Sequence, residues 1–589
     1  MLPDIEVEPK GTTSFAGRGY RRMARFLGSS DERWELLLPL AILVGLASGL
    51  VAVGLRRGVH HLGDALLAVS EGRLWLRFLI PGAGAFLGAW IVANLFREPP
   101  GHGVPGVIRS VCRWGGRLKR RTIFSHWLGS LVNVSAGGSA GLEGPIVVSG
   151  AAIGSTVGGL FKLDERRRSL LLACGVAGGI SAVFNAPMTG ALFAAEVVLA
   201  EWTAFSIVPI IVSAAVAAQL ERLFLGDHQS FLHAPFSMGP LDFAACAVLG
   251  LIAGVASLAL TASIEWVDRL ARKVPRHRLL APLLFGLAVG AVGLMAPEAI
   301  GEGYDLAQSA IRSELPAGLA LVFVLLFVKG AATSMTLGSG APGGVFAPCL
   351  VLGAVIGVGF CRAMGLALPE GALAVEGSYA LVSMAGLVAG VMHAPLTAIL
   401  LVMEVTAGYD VILPLMIVSV LSLIVVRRFG HHSMYTRELA ETGDLLRPGT
   451  DKRILSDIRV SEALDEDVLT VSPNLTLAQF VGVVRRSKRN HFPVLEADSR
   501  RLVGMLDLGD IREILVDPDL AKLTLVGTVM DAAPASVPLG STLVEALAVF
   551  EESGAWVLPV LDGDVYFGLL SKSRLFDRYR AELSAQTDV

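Results

Sequence analysis

The chain has 589 residues, a formal net charge of −3, 53% hydrophobic and only 17% charged residues, with a mean hydropathy of +0.63. A soluble domain carries about 25% charge, and here the charges are also segregated, which excludes an ordinary soluble globular protein. The net charge averages two unlike regions and points to no acidic, basic or nucleic-acid partner.

Residues 1–35 are polar and lack the apolar core of a cleavable signal. They carry Arg18, Arg21, Arg22 and Arg25 ahead of the first apolar run, which by the positive-inside tendency predicts a cytoplasmic N-terminus. The stretches 36–55, 78–96, 243–264, 279–297, 330–361 and 377–403 contain no Asp, Glu, Lys or Arg. Several reach the roughly 20 residues that cross a bilayer as helix. They predict a polytopic α-helical membrane protein over residues 36–435. Arg427 and Arg428 close the last apolar run, so the C-terminal region is expected in the cytoplasm as well. In a bacterium the bilayer would be the inner membrane. Cys112, Cys174, Cys246, Cys349 and Cys361 all fall in the apolar part, without metal-ligand or pairing patterns, and read as small buried hydrophobes.

The runs are poor simple spans. Some are too short and 330–361 is too long, and "FNAPMTG" (184–190), "GAPGGVFAP" (340–348) and "MHAPLTA" (392–398) interrupt them. The chain has 66 glycines, well above the usual share of about 7%. Small residues let membrane helices approach closely. Broken helices survive only where protein or a watery cavity satisfies the freed backbone groups. "NAPMTGALFAAE" (185–196) answers "HAPLTAILLVME" (393–404), and "GAAIGS" (150–155) answers "GAVIGV" (353–358). One unit is therefore used twice, over about 36–225 and 240–435. The sequence alone leaves open whether the copies are parallel or inverted.

Within "GGSAGLEGPIVVSGAAIGS" (137–155) the single charge is Glu143. A lone carboxylate costs several kcal/mol when removed from water, so it needs a specific environment. Glycine-rich turns opening apolar helices provide one, because accessible N–H groups carry partial positive charge and hold an anion gently. The turns at 101–105, 141–145 and 343–347 have this character.

After a linker (436–456) the composition becomes that of a soluble α/β region. Residues 457–518 and 524–584 repeat one pattern: a short strand, an amphipathic helix (Leu477, Phe480, Val481, Val484; Leu543, Ala546, Leu547, Phe550), two strands joined by a polar turn, and a helix.

Taken in order, "GHGVP" (101–105), "GLEGP" (141–145), "GGVFAP" (343–348), the paired "FNAP" and "HAPLT" segments with their closing glutamates, and "SMYT" (433–436) resemble the CLC family of anion channels and proton-coupled anion antiporters. The resemblance covers about 36–440, and the C-terminal repeat resembles a tandem CBS pair. It implies two inverted repeats, a homodimer with one anion pathway per subunit, chloride as the default ion, and no enzymatic activity. It implies anion contacts from the amides of Val345 and Phe346, the hydroxyl of Tyr435, and the turn at His102 and Gly103. Glu143 is then a gate that mimics the anion when ionised and swings away when protonated.

Three positions depart from the family pattern. His102 stands for the usual pore serine, and either its ring or only the loop amides face the ion. Leu142 replaces a basic residue. After Glu196, where proton-coupled members carry a second Glu on the internal proton route, this chain has Val197. Val197 favours a passive chloride channel as the leading reading; a proton-coupled chloride antiporter is the alternative, and fluoride specificity is a weaker one. Glu196 and Glu404 themselves read as structural hydrogen-bonding carboxylates. An intramembrane hydrolase lacks its motifs, since His126 and His393 stand alone. A membrane-anchored CBS sensor would not need so many broken segments.

The resemblance to a CBS pair implies a cleft that in many such pairs binds adenosine nucleotides, with a hydroxyl and an Asp at fixed places. Here the first copy has Asp510 but Asp507 for the hydroxyl, and the second has Ser571 but Arg574 for the Asp. Neither half-site is whole. No cofactor is required, an adenosine nucleotide at this cleft is the one the resemblance admits, and a dimer-stabilising role is the other reading of the pair.

Overall fold

The computed structural model describes residues 34–587 apart from 100, 102, 227–230, 232–237, 317, 370, 407, 446–450, 497–498 and 532–534. The basic N-terminal segment and His102 thus lie outside the described residues. Two compact units divide the chain between Leu445 and Leu446.

In the first unit, nine helices among the described residues are long and apolar enough to cross a membrane, with shorter apolar helices at Pro187–Leu199, Glu376–Met392 and Pro395–Thr406. The uncharged run 330–361 is two helices, Leu319–Gly338 and Phe346–Gly365, separated by a turn. The run 377–403 is likewise split into Glu376–Met392 and Pro395–Thr406. The break has a local cause. His393 takes a left-handed conformation (φ 56°) and Pro395 has no N–H for a continuing helix. Asn185 (φ 53°) and Pro187 end the helix Glu165–Phe184 in the same way in the first repeat.

The two repeats are inverted copies. Helix Glu143–Leu160 answers Phe346–Gly365, and Glu165–Phe184 answers Glu376–Met392. In each copy the paired helices meet through glycine. A β-carbon on Gly175 would lie 1.9 Å from the Gly150 carbonyl oxygen, and one on Gly154 would lie 1.9 Å from that of Leu171. In the second copy, Gly357 would meet the Tyr379 carbonyl at 2.2 Å and Gly353 the Met384 Cα at 2.6 Å. The repeated "GAAIGS" and "GAVIGV" are thus backbone contact sites, as small residues are in membrane helix pairs.

The repeats also cap one another. Glu196, in the π-helical turn Ala194–Leu199, accepts from Leu396 N (3.3 Å), Thr397 N (2.9 Å) and Thr397 Oγ1 (2.7 Å). Glu404 accepts from Met188 N (2.9 Å), Thr189 N (2.7 Å) and Thr189 Oγ1 (2.6 Å). Each carboxylate satisfies the orphan amides that open the other copy's Pro-x-Thr helix.

The second unit holds two small sheets, antiparallel His491–Leu495 with Leu502–Asp507, and a three-stranded sheet of Val537–Pro538, Val557–Asp562 and Val565–Ser571. The helices Leu477–Val484 and Leu543–Ser553 begin with capping boxes, Thr476/Gln479 and Thr542/Glu545. The short leading strand forms only in the second copy; in the first it is a single bridge, Val471 to Val494. The cores exchange their edges. Ile454, Ile458 and Val460 pack with Leu543, Phe550 and Leu558, while Ala521 and Val526 pack with Phe480 and Phe492.

The glycine contacts give a direct test. Gly175→Ala drives a methyl group into a backbone carbonyl that cannot step aside, so it should cost about 1–3 kcal/mol and lower the melting temperature of the detergent-solubilised protein. Gly159→Ala, where a β-carbon would meet nothing within 4 Å, should leave it unchanged.

Candidate functional site

Two of the glycine-rich turns meet face to face. Gly141 N donates to Gly344 O at 2.8 Å and Gly344 N donates to Gly141 O at 2.7 Å, an isolated antiparallel bridge between the repeats. Ser139 anchors the approach to the first turn: its N donates to Thr336 Oγ1 (3.1 Å), and its Oγ lies 3.0 Å from Thr333 Oγ1. Asn133 Nδ2 donates to Pro342 O (2.9 Å) and ties the second turn to the first repeat. The helices Glu143–Leu160 and Phe346–Gly365 therefore start side by side, with their amide-rich, partially positive ends converging.

Glu143 is the first residue of its helix and is wholly buried. Its Oε1 accepts from Tyr304 Oη at 2.9 Å. The backbone N–H groups of Glu143 itself and of Ala347 are directed at the carboxylate. Its Oε2 has no hydrogen-bond partner among the described residues. The carboxylate fills a space that exists because its neighbours lack β-carbons. One on Gly141 would sit 1.9 Å from Oε2, and one on Gly344 would sit 3.0 Å from it. Val345 caps the second helix, and the ring of Phe346 packs against Phe193 and Phe184 at centroid distances of 5.3 and 5.9 Å.

Tyr435 is buried within electrostatic reach of both Glu143 and Cys349. The Ser433–Thr436 turn holds it in place, with Ser433 N donating to Thr436 Oγ1 (3.0 Å) and Met434 N to Val391 O (3.3 Å). Gly103, left-handed at φ 72°, caps helix Val104–Arg113 and abuts the Glu143 helix; a β-carbon there would lie 2.6 Å from Val148 Cγ2. Glu143, Val345 and Phe346 thus stand at the start of one helix pair, with Tyr435 within electrostatic reach of Glu143 and Gly103 against Val148, farther along the first helix. Glu196 and Val197 are not part of this cluster: they lie in the π turn at the repeat interface, with Glu196 engaged in capping and Val197 buried.

Two cavities that share no lining residue approach this cluster. One, of about 1200 Å³, is bordered by Gly103, His126, Val148 and Met434, with eight basic and six acidic residues in its wall. The other, of about 980 Å³, is bordered by Leu142, Phe184, Glu302, Tyr304, Arg56 and Arg57. Arg56 is paired with Glu221 at 2.9 Å. Lys329, fully buried, donates to Gly301 O at 2.9 Å. Tyr304, Glu302 and Lys329 escape a reading of the sequence by motif. The available signals are the "GEGYD" turn at 301–305 and a lone Lys between two uncharged runs.

In the second unit, Ser571 Oγ accepts from Arg574 N (3.2 Å) and so caps the final helix Lys572–Thr587. The Arg574 guanidinium lies 3.9 Å from Asp465. Asp510 sits in the turn after strand Leu502–Asp507. Asp507 accepts from Gly509 N (2.7 Å) and faces His491 at 3.3 Å.

The sequence profile described as voltage gated chloride channel matches residues 84–427, and a CBS domain profile matches 460–517. A Ralstonia nicotianae protein named for ClcB-like chloride channels is 33% identical over 429 residues, covering 69% of this chain and 97% of that protein. The H(+)/Cl(−) exchange transporter ClcA of Vibrio cholerae (strain M66-2) is 31% identical over 442 residues, covering 70% of this chain and 91% of that protein. The crystal structure of a slow cyanobacterial Cl−/H+ antiporter matches with a TM-score of 0.62 at 25% identity, over 69% of this chain and 97% of that one. A eukaryotic CLC transporter shares the fold at a TM-score of 0.59 and 21% identity, over 91% of this chain and 97% of that one. With its nine apolar helices among the described residues, the chain is an integral multi-pass membrane protein that moves anions and is not an enzyme; it belongs to the voltage gated chloride channel (CLC) family and carries a C-terminal CBS region.

Proposed function

We propose that this chain exchanges chloride for protons, with Glu143 as the group that carries the proton and competes with the anion. The observation that carries the reading is the Glu143 carboxylate itself, seated among converging helix amides and held, among the described residues, by a single side-chain donor, Tyr304. An ionised carboxylate and a chloride ion ask for the same surroundings, so one can replace the other. Protonation removes the attraction, the side chain leaves, and chloride takes its place against the amides of Val345 and Phe346 and the hydroxyl of Tyr435. Chloride departs when Glu143 loses its proton and returns. The named exchangers among its relatives support coupling over the passive channel that Val197 suggests.

The passive channel is the second reading, because Val197 is apolar and buried where a coupled transporter needs a titratable relay. In either case the working unit is a homodimer with one pathway per subunit, and both termini are cytoplasmic.

Purified protein in liposomes separates the two. An imposed proton gradient should drive chloride uphill in the exchanger; dissipation without uphill movement identifies the channel. In Glu143→Gln, chloride should still pass while proton movement stops. A flux limited by protonation changes by up to about tenfold per pH unit, and this variant should lose that slope. A parental slope in the variant sinks the gate role. Gly141→Ala should act the same way for a steric reason, since its methyl group would occupy the space of Oε2. If it keeps a full pH response, the carboxylate does not work from this seat.

A further inference from the structure

Exchange requires a proton to reach Glu143 from each side of the membrane, and the residue after Glu196 supplies no chemistry for it. Val197 is 5% exposed and apolar, and both oxygens of Glu196 are committed to Leu396 and Thr397. The cavity bordered by Gly103 contains a different pair of titratable groups. Glu98 and His126 line it, and their side chains are only 9% and 5% exposed.

The pair is held by a small hydroxyl network. Helix Thr122–Ser135 presents Thr122, Ser125 and His126 toward the segment that carries Glu98. Thr122 Oγ1 donates to Glu98 Oε1, and Ser125 Oγ donates to Oε2 at 2.5 Å. Ser125 Oγ is 3.1 Å from His126 Nδ1, which itself lies 3.8 Å from Glu98 Oε2. The opposite ring nitrogen packs on Gly103, where a β-carbon would lie 2.9 Å from Nε2. Gly103 presents backbone alone, and the group from the Glu143 helix at this spot is the apolar Val148. Arg97, Arg109 and Arg437 line the same cavity; Arg109 is engaged with Glu438 and Asp444, and Arg437 with Glu265 and Glu441. The imidazole therefore spans the distance from a cavity carboxylate to the turn that borders the anion path.

We infer that Glu98 and His126 form the proton relay between this cavity and the anion path, doing the work for which Val197 has no titratable group. The inference rests on the coupled-exchange reading. A proton from cavity water binds Glu98 and passes through the Ser125 hydroxyl, which gives up its own proton to Nδ1 as it accepts one. The imidazolium then releases the Nε2 proton to water beside Gly103, and that water delivers it toward Glu143 past Val148. The Nδ1–H form left behind returns to the Nε2–H form by proton exchange with cavity water, which takes the Nδ1 proton and supplies one to Nε2. Imidazole suits the task because it takes up and gives back a proton near neutral pH.

The full-length protein in liposomes decides this, with chloride and proton fluxes measured together for the parent, His126→Gln and Glu98→Gln. The parent should show coupled movement. His126→Gln should pass chloride within about twofold of the parent while its proton flux falls by about tenfold or more, and Glu98→Gln should lose proton flux in the same direction. If the parent is coupled and both variants keep its proton-to-chloride ratio, the relay is wrong and the exchanger stands. A parallel fall of the two fluxes overturns the relay as well, since that is the mark of a structural role. Should His126→Gln fail to fold, Glu98→Gln alone carries the test. A parent that moves chloride with no coupling removes the exchanger reading and the relay with it.

Discussion

Two backbone hydrogen bonds, exchanged between Gly141 and Gly344, force an arrangement that helices alone would avoid. Each helix start carries partial positive charge, and two such ends held side by side repel. The repulsion is relieved by placing negative charge between them. The protein supplies that charge from within as Glu143, at the first position of one of the helices. The turn must be glycine for the carboxylate to fit. On the proposed reading, anion affinity here follows from how the repeats are joined, and an anion that displaces Glu143 would inherit the same relief.

The repeat interface uses the same physics with the opposite outcome. Glu196 and Glu404 are also carboxylates at helix starts, but each accepts three hydrogen bonds from one Pro-x-Thr segment, two from backbone and one from a threonine hydroxyl. Among the described residues, Glu143 has one side-chain donor and an oxygen without a partner. Both oxygens of each clamp are engaged, whereas Glu143 keeps one without a partner, and that difference separates a clamp from a movable group. The clamps are reciprocal, residue to residue, as a two-fold relation requires. They fix the frame, and Glu143, with one oxygen unpartnered, has less to lose by moving than either clamp.

What could be read from the sequence follows from which interactions are local. Uncharged runs, the breaks at Asn185 and His393, and the isolated charge of Glu143 are properties of short stretches, and the fold and its two copies were legible from them. The capping boxes at Thr476 and Thr542 are equally local. Pairings between distant segments were not legible. Tyr304 reaches Glu143 from the other repeat, 161 residues away, and nothing in "GEGYD" names its partner. His126 reads as a solitary histidine in the sequence, and only the helix that carries it brings it against Glu98. The sequence copies in the C-terminal region suggest two self-contained halves, whereas Ile458 and Val526 each pack into the core of the other copy. Exchange of edges between similar units leaves the local pattern unchanged, so periodicity has no access to it.

The distribution of full charges explains why dipoles are left to hold the ion. An unpaired ammonium or guanidinium in a poorly solvated path would bind chloride too firmly for turnover, because Coulomb attraction grows steeply as the dielectric falls. Three of the cations around the two cavities are already committed: Lys329 to the Gly301 carbonyl, Arg56 to Glu221, and Arg109 to Glu438 and Asp444. The first cavity retains a small excess of basic over acidic residues, enough to favour anions in the approach, where water screens them. Beyond it, on the proposed reading, the ion would meet main-chain amides and a buried tyrosine. On that reading attraction is broad at the mouth and moderate at the seat, and a carboxylate that takes up and releases one proton would suffice to tip the balance between holding the ion and letting it go.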